Sequence, residues 1–149
     1  MISGHLGIKE NTLTIGGVDT VKLAKEYGTP LYVFDENKIR ECCRAYVASV
    51  DKFYGGNGRI HYASKAMCTR EMCRIMAEEN LGIDVVSGGE LYTARYAGFP
   101  MDKVCFHGNN KTPDEIAMAL NFGVGRFVVD NEFELELLSR MAKERGVTA

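Results

Sequence analysis

A lysine at the end of a strand-length run is the first residue here whose type and position could do covalent chemistry. Lys65 follows Arg59-Ile60-His61-Tyr62-Ala63-Ser64, a run that predicts a strand over Ile60–Ala63 with Lys65 just past its carboxyl end. Closed barrels and open α/β sheets both place their chemistry at that edge. A lysine held among apolar neighbours can lose basicity and act as a Schiff-base amine. Strand alternation puts Lys65, Ala63 and His61 on one face, with Tyr62 and Ser64 on the other. Ala63, directly beneath the lysine, is small enough to leave room for a flat ring. Spacing alone also allows a plain solvated lysine, which is the commoner fate of a strand-end cation.

The elements that must position Lys65 follow from the pattern around it. Strand-length apolar runs fall at Leu31–Phe34, Ile60–Ala63, Ile83–Val86, Val104–His107 and Phe127–Val129. Helical periodicity fills 36–53, 69–80, 88–97, 112–122 and 131–144. Ile39, Cys43, Tyr46, Val50 and Phe53 form one stripe of the first helix, and Phe133, Leu137 and Met141 one of the last. Thr112-Pro113-Asp114-Glu115 joins a capping box to a proline at the first helical position, and Ser87-Gly88-Gly89-Glu90 repeats the Ser-x-x-Glu spacing. Gly82, Gly98 and Gly123 stand where a left-handed cap would end a helix. Strand–helix units recurring in this way predict βαβ crossovers and a parallel sheet. An open doubly wound sheet and a (β/α)8 barrel both use that repeat. No G-x-G-x-x-G opens a helix after a strand, Gly123-Val124-Gly125 precedes its strand, and no phosphate loop of the G-x-x-x-x-G-K-[ST] type occurs.

Composition excludes several function classes. The 149 residues are 46% hydrophobic and 26% charged with a net charge of −2, so bulk electrostatics favours neither nucleic acid nor an anionic membrane. Met1–Glu10 lacks the basic start and apolar stretch of a signal peptide, and no apolar run spans a membrane, so the expected location is the cytoplasm. The five cysteines (Cys42, Cys43, Cys68, Cys73, Cys105) form no C-x-x-C pair, and three histidines lack a repeated ligand spacing. Neither a disulfide scaffold nor a structural metal site is expected; the thiols suit a reduced, mostly buried role.

Three strings in order then narrow the reading. Tyr62-Ala63-Ser64-Lys65-Ala66, Gly82-Ile83-Asp84-Val85-Val86-Ser87-Gly88-Gly89-Glu90-Leu91 and Phe106-His107-Gly108-Asn109-Asn110-Lys111 together resemble the N-terminal half of the meso-diaminopimelate decarboxylases. Leu13-Thr14-Ile15-Gly16-Gly17-Val18 and Thr29-Pro30-Leu31-Tyr32-Val33-Phe34-Asp35 extend the likeness over nearly the whole chain. The Lys65 motif alone points to the wider fold-type III pyridoxal-phosphate decarboxylases, and the other two strings to the diaminopimelate branch. One departure is Met67, where many fold-type III enzymes have asparagine.

The resemblance implies an α/β fold, the N-terminal half of a (β/α)8 barrel of the alanine racemase-like type. Residues 1–34 would form a strand/helix segment joined to a β domain, and 35–149 a partial barrel that binds pyridoxal 5′-phosphate. It implies that Lys65 carries the cofactor as a Schiff base, that meso-2,6-diaminopimelate loses CO2 to give L-lysine, and that the enzyme is a homodimer. Ala63, Asp84, His107 and Asn109 are the further cofactor-binding candidates it marks. Asp84 either organises the lysine or ties to its following turn; Glu90 caps its own helix; His5 and His61 read as structural or incidental. The phosphate loop, the acidic partner of the pyridine nitrogen and the substrate-reading residues would lie beyond Ala149. The chain is thus expected to be part of a longer enzyme, exposing strand edges and an apolar sheet face, weakly folded or dimerised, and inactive alone. Alternatives are a relative acting on ornithine, arginine or carboxynorspermidine, a non-catalytic pyridoxal-phosphate barrel protein, and an unrelated doubly wound binding module.

Overall fold

The computed structural model describes residues 4–149 and divides the chain into two compact units, separated between Ser49 and Val50 within one long helix. In the first unit, β1 (Leu6–Lys9), β2 (Thr12–Ile15) and β3 (Val18–Asp19) form an antiparallel meander. Gly16 and Gly17 both have positive φ (56° and 80°), the conformation that a two-residue turn with the twist of its strands requires. Asp19 then caps α1 (Thr20–Tyr27), its Oδ1 accepting from Val21 N at 2.8 Å and Lys22 N at 3.1 Å. The helix α2 (Glu36–Tyr54) follows.

Two expectations fail in this region. Leu31–Phe34 is not a strand: no partner strand lies beside it among the described residues, and Leu31, Tyr32 and Phe34 are exposed. The stripe on α2 is only nominally a core stripe, because Cys43 is its one buried residue while Tyr46 and Phe53 stand exposed.

The second unit is a parallel sheet of β4 (His61–Ala63), β5 (Gly82–Val85), β6 (Val104–Phe106) and β7 (Arg126–Phe127), hydrogen-bonded in that sequential order. A doubly wound sheet reverses its strand order at a switch point. None occurs among these four strands, so the winding is that of a barrel wall. The helices α3 (Arg70–Glu78), α4 (Gly88–Tyr96), α5 (Pro113–Phe122) and α6 (Glu132–Arg145) follow the strands in turn.

Local signals set those boundaries. Thr69, Ser87, Thr112 and Asn131 accept from the third helical N–H of α3, α4, α5 and α6, and Thr112 with Glu115 completes a capping box. Gly123 ends α5 in the left-handed conformation (φ 74°). Gly82 does not do so for α3: Asn80 takes the positive φ (62°), and Gly82 already belongs to β5.

The core lies between sheet and helices. Ile83, Val85, Val104 and Phe106 are within 1% of full burial, as are Leu91 and Ile116. Each such side chain contributes roughly 1.5–3 kcal/mol over its exposed state. Ile116, Leu120, Leu137, Leu138 and Ala142 extend the core between α5 and α6, with Phe127, Val129 and Met141 packed on it; Phe133, expected on this stripe, is exposed. The opposite sheet face was expected to be apolar and is not. It carries His61, Ala63, Asp84, Cys105 and Arg126, because the register places Ala63 beside Asp84, Asp84 beside Cys105 and Cys105 beside Arg126.

Candidate active site

Lys65 stands at the carboxyl edge of this polar face. The strand β4 ends one residue earlier than alternation required, and Ser64–Ala66 form a single 3-10 turn. Lys65 therefore does not continue the Ala63–His61 row; the turn re-aims it. Ser64 is buried to 1% with no hydrogen-bond partner for its hydroxyl among the described residues, while the Tyr62 hydroxyl donates to the Met67 carbonyl at 3.1 Å and closes the segment on either side of the lysine. Lys65 itself is exposed, and its amine makes no hydrogen bond or ion pair among the described residues. Met67, where an asparagine side chain would be polar, enters through its backbone carbonyl.

Asp84, in β5, is half-buried, with Oδ1 3.1 Å from His61 Nδ1. The separation suits a hydrogen bond but the angle does not, which leaves Nδ1 a buried nitrogen whose neighbour is a carboxylate. Sequence reasoning set His61 aside, although its place two residues before Ala63 on the same strand face was the signal. Gly82 accommodates that ring: a Cβ there would lie 2.6 Å from His61 Cε1. Cys105 sits next to Asp84 across the sheet; burial, then the charge of Asp84, pushes its thiol up from the ordinary value.

His107 follows β6 directly and its N–H donates to the Val85 carbonyl at 3.0 Å, so it extends the row of Cys105. Asn109, the other candidate from this string, does not extend the row. Gly108 intervenes with φ 113°, a conformation only glycine adopts readily, and Asn109 is exposed in the loop beyond.

Two carboxylates support the loops. Glu90 Oε2 accepts from Val86 N at 2.6 Å, and its own N–H donates to Ser87 Oγ at 3.3 Å, so Ser87 caps α4 and Glu90 braces the residue before the cap. Glu115 accepts from Thr112 N at 2.9 Å and, 27 residues away in sequence, from Gly88 N at 2.7 Å. Burial alone would raise Glu115, but the N–H groups of Thr112 and Gly88 outweigh it and hold the carboxyl below its ordinary range.

The last string of the sequence conceals a second lysine that spacing did not single out. Lys111 is buried, with Nζ donating to the Gly108 carbonyl at 2.6 Å and the Val128 carbonyl at 2.9 Å. It also lies 2.8 Å from Glu134 Oε1, a charge contact outside hydrogen-bond angles. Removing one partner of such a pair costs about 3–5 kcal/mol because the other charge is stranded. No sequence pattern links positions 111 and 134; only the fold brings them together.

The arrangement offers a primary amine unpaired among the described residues at a strand end, a small neighbour in Ala63, and a row of polar groups on the same sheet face. A flat aldehyde-bearing ring with polar substituents fits that donor set: the amine can take the aldehyde carbon, and Ala63, exposed at the end of β4, adds no bulk beside it.

Comparison with known proteins agrees. A sequence profile of the family described as "Pyridoxal-dependent decarboxylase, pyridoxal binding domain" matches residues 36–148. The diaminopimelate decarboxylase of Bacillus methanolicus is 51% identical over 135 residues, covering 91% of this chain and 31% of the relative. The crystal structure of diaminopimelate decarboxylase from M. jannaschii in complex with L-lysine superposes with a TM-score of 0.91 at 37% identity, over 100% of this chain and 35% of that one. A lysine/ornithine decarboxylase from Vibrio vulnificus, complexed with putrescine, gives a TM-score of 0.74 at 27% identity, over 83% and 33%. The chain spans about a third of the length of these relatives.

Proposed function

This chain belongs to the pyridoxal-dependent decarboxylases through their pyridoxal-binding domain, and from that membership we propose that it is the pyridoxal-binding portion of a diaminopimelate decarboxylase. The proposed reaction takes meso-2,6-diaminopimelate to L-lysine and CO2, in a cytoplasmic homodimer. Residues 35–149 would supply the cofactor domain, and residues 1–34 would join a β domain. The observation that carries the reading is Lys65, an amine without a partner among the described residues at the carboxyl edge of β4, in the strand-end position such chemistry uses.

In this reading Lys65 would hold pyridoxal 5′-phosphate through its amine and would take the cofactor back when product leaves with its own amine. When bound, the cofactor would supply an electron sink for the pair left on the substrate carbon as CO2 departs. Ala63 leaves the space for the ring. Asp84 sets a negative charge on the same sheet face, steadied by the His61 ring 3.1 Å away. His107 and Asn109 add polar contacts from the loop after β6, and Ser64 and Tyr62 keep the Lys65 turn from relaxing.

The test is borohydride reduction after adding pyridoxal 5′-phosphate, followed by peptide mapping. Label on Lys65, absent from Lys65→Ala, is expected; label spread over surface lysines at the same level in the variant defeats the reading. Release of CO2 from meso-diaminopimelate, against ornithine and arginine as competitors, decides the substrate. The lysine/ornithine decarboxylase likeness makes ornithine the rival to beat.

A further inference from the structure

We propose that Lys111 is a positioning residue for the cofactor face: its buried ammonium clamps the loops after β6 and β7 and so fixes the backbone that carries His107 and Asn109. The inference rests on the pyridoxal reading of Lys65. The Lys111 ammonium donates two hydrogen bonds and makes one charge contact, to groups from three different places. These are the Gly108 carbonyl at 2.6 Å in the loop after β6, the Val128 carbonyl at 2.9 Å just after β7, and the Glu134 carboxylate at 2.8 Å in α6. The side chain is 1% exposed and that of Glu134 6%, so neither charge is solvated and each is there for the other.

The point of attachment matters more than the charge. Gly108 lies between His107 and Asn109, and its positive φ sets the turn between them. The His107 N–H is already held by the Val85 carbonyl, and the Val128 N–H by the Phe106 carbonyl. Lys111 therefore grips the free carbonyl side of segments whose N–H side the sheet already holds. A buried ion pair can often be replaced by apolar side chains of like volume without loss of stability. Such a replacement keeps the packing and loses both carbonyl grips, so positioning and stability come apart.

The experiment compares the full chain with Lys111→Met/Glu134→Leu. Expected are a melting temperature within a few degrees of the parent, about tenfold faster amide exchange at His107 and Val128 than elsewhere in the sheet, and at least a severalfold loss of borohydride-trapped pyridoxal on Lys65. Parent-like exchange at both amides, or loosened loops with trapping unchanged, overturns the assignment. Glu134→Gln is the second arm: it keeps both carbonyl grips but strands the Lys111 charge, so it is expected to melt well below the parent and yet, at temperatures where it is folded, to show parent-like exchange at His107 and Val128. A folded Glu134→Gln whose exchange at both amides rises as in the double variant also overturns it. Absence of Lys65 labelling in the parent defeats the cofactor reading and the cofactor half of this inference, while the exchange comparison still decides the clamp.

Discussion

His61 and Asp84 face each other across neighbouring strands, Nδ1 to Oδ1 at 3.1 Å, and the imidazole reaches the carboxylate by lying over Gly82. The register sets His61 beside Gly82 and Ala63 beside Asp84, so the ring must lean one step along the strands. Only a residue without a side chain lets it pass.

Gly82→Ala is accordingly expected to cost about 1–3 kcal/mol, the usual range for forced overpacking. A methyl 2.6 Å from a rigid ring cannot be absorbed by rotating a flexible tip. Gly82 has an ordinary strand backbone, so the same change in a His61→Ala background removes the clash and gains from the less flexible unfolded chain. Urea denaturation of the four members of this cycle checks it; equal losses in both backgrounds would mean that the ring is not the obstacle.

Glu115 caps two helices with one carboxylate, and its stability contribution has a definite pH window. The folded carboxyl lies below its ordinary value of 4.5, so the contribution is complete above that value and is lost as pH falls through the lower folded one. Glu115→Ala should cost about 1–2 kcal/mol at neutral pH, from the lost cap and the unsatisfied Gly88 N–H. It should also flatten the acid limb of a stability–pH curve measured by thermal melts. An unchanged acid limb in the variant would assign that limb to other carboxylates.

Where a helix begins or ends is chemically local, so Ser87 and Thr112-Pro113 as starts and Gly123 as a stop were legible in the sequence. Lys65 was legible as a strand-end amine with the small Ala63 two residues before it; the register that sets Asp84 beside Ala63 was not, since strand pairing is not written in spacing. The run Leu31–Phe34 was misread because a strand needs a partner that composition cannot reveal. The α2 stripe was misread because periodicity reports which residues share a face, and Tyr46 and Phe53 show that a shared face need not be covered. Helix α1 lacked an assigned start although Asp19 supplied one. The links from Lys111 to Glu134 and from Glu115 to Gly88 join residues more than twenty positions apart, and no spacing rule reaches that far.

The thiols should separate cleanly in a labelling experiment. Cys42 is exposed, whereas Cys43, Cys73 and Cys105 are buried. Burial, then the neighbouring Cys68, pushes the Cys73 thiol from 9.0 up to about 12. The thiolate is the reactive form, so Cys42 is expected to react with iodoacetamide first and Cys73 only on unfolding. Because the folded state keeps the Cys73 proton more tightly, its contribution to stability is complete below about 9 and declines as pH rises toward 12. Mass-spectrometric time courses at pH 8 check the order; early labelling of Cys73 would show that the α3 face opens readily.

Gly125 provides the sharpest packing prediction. Its N–H donates to the Met101 carbonyl at 3.0 Å, and a Cβ would stand 2.0 Å from the Asp102 carbonyl oxygen. That neighbour is backbone, so no rotamer change relieves the contact, and the turn before β6 would have to shift. Gly125→Ala is expected to cost about 3 kcal/mol or more, at the severe end for a single added methyl. Gly98→Ala is the informative control: Gly98 has φ 77° but open space around its Cβ position, so it carries backbone strain without a clash. Its cost should be nearer 1 kcal/mol. Chemical denaturation of both variants separates the two causes, and equal losses would mean that the close approach to Asp102 yields without penalty.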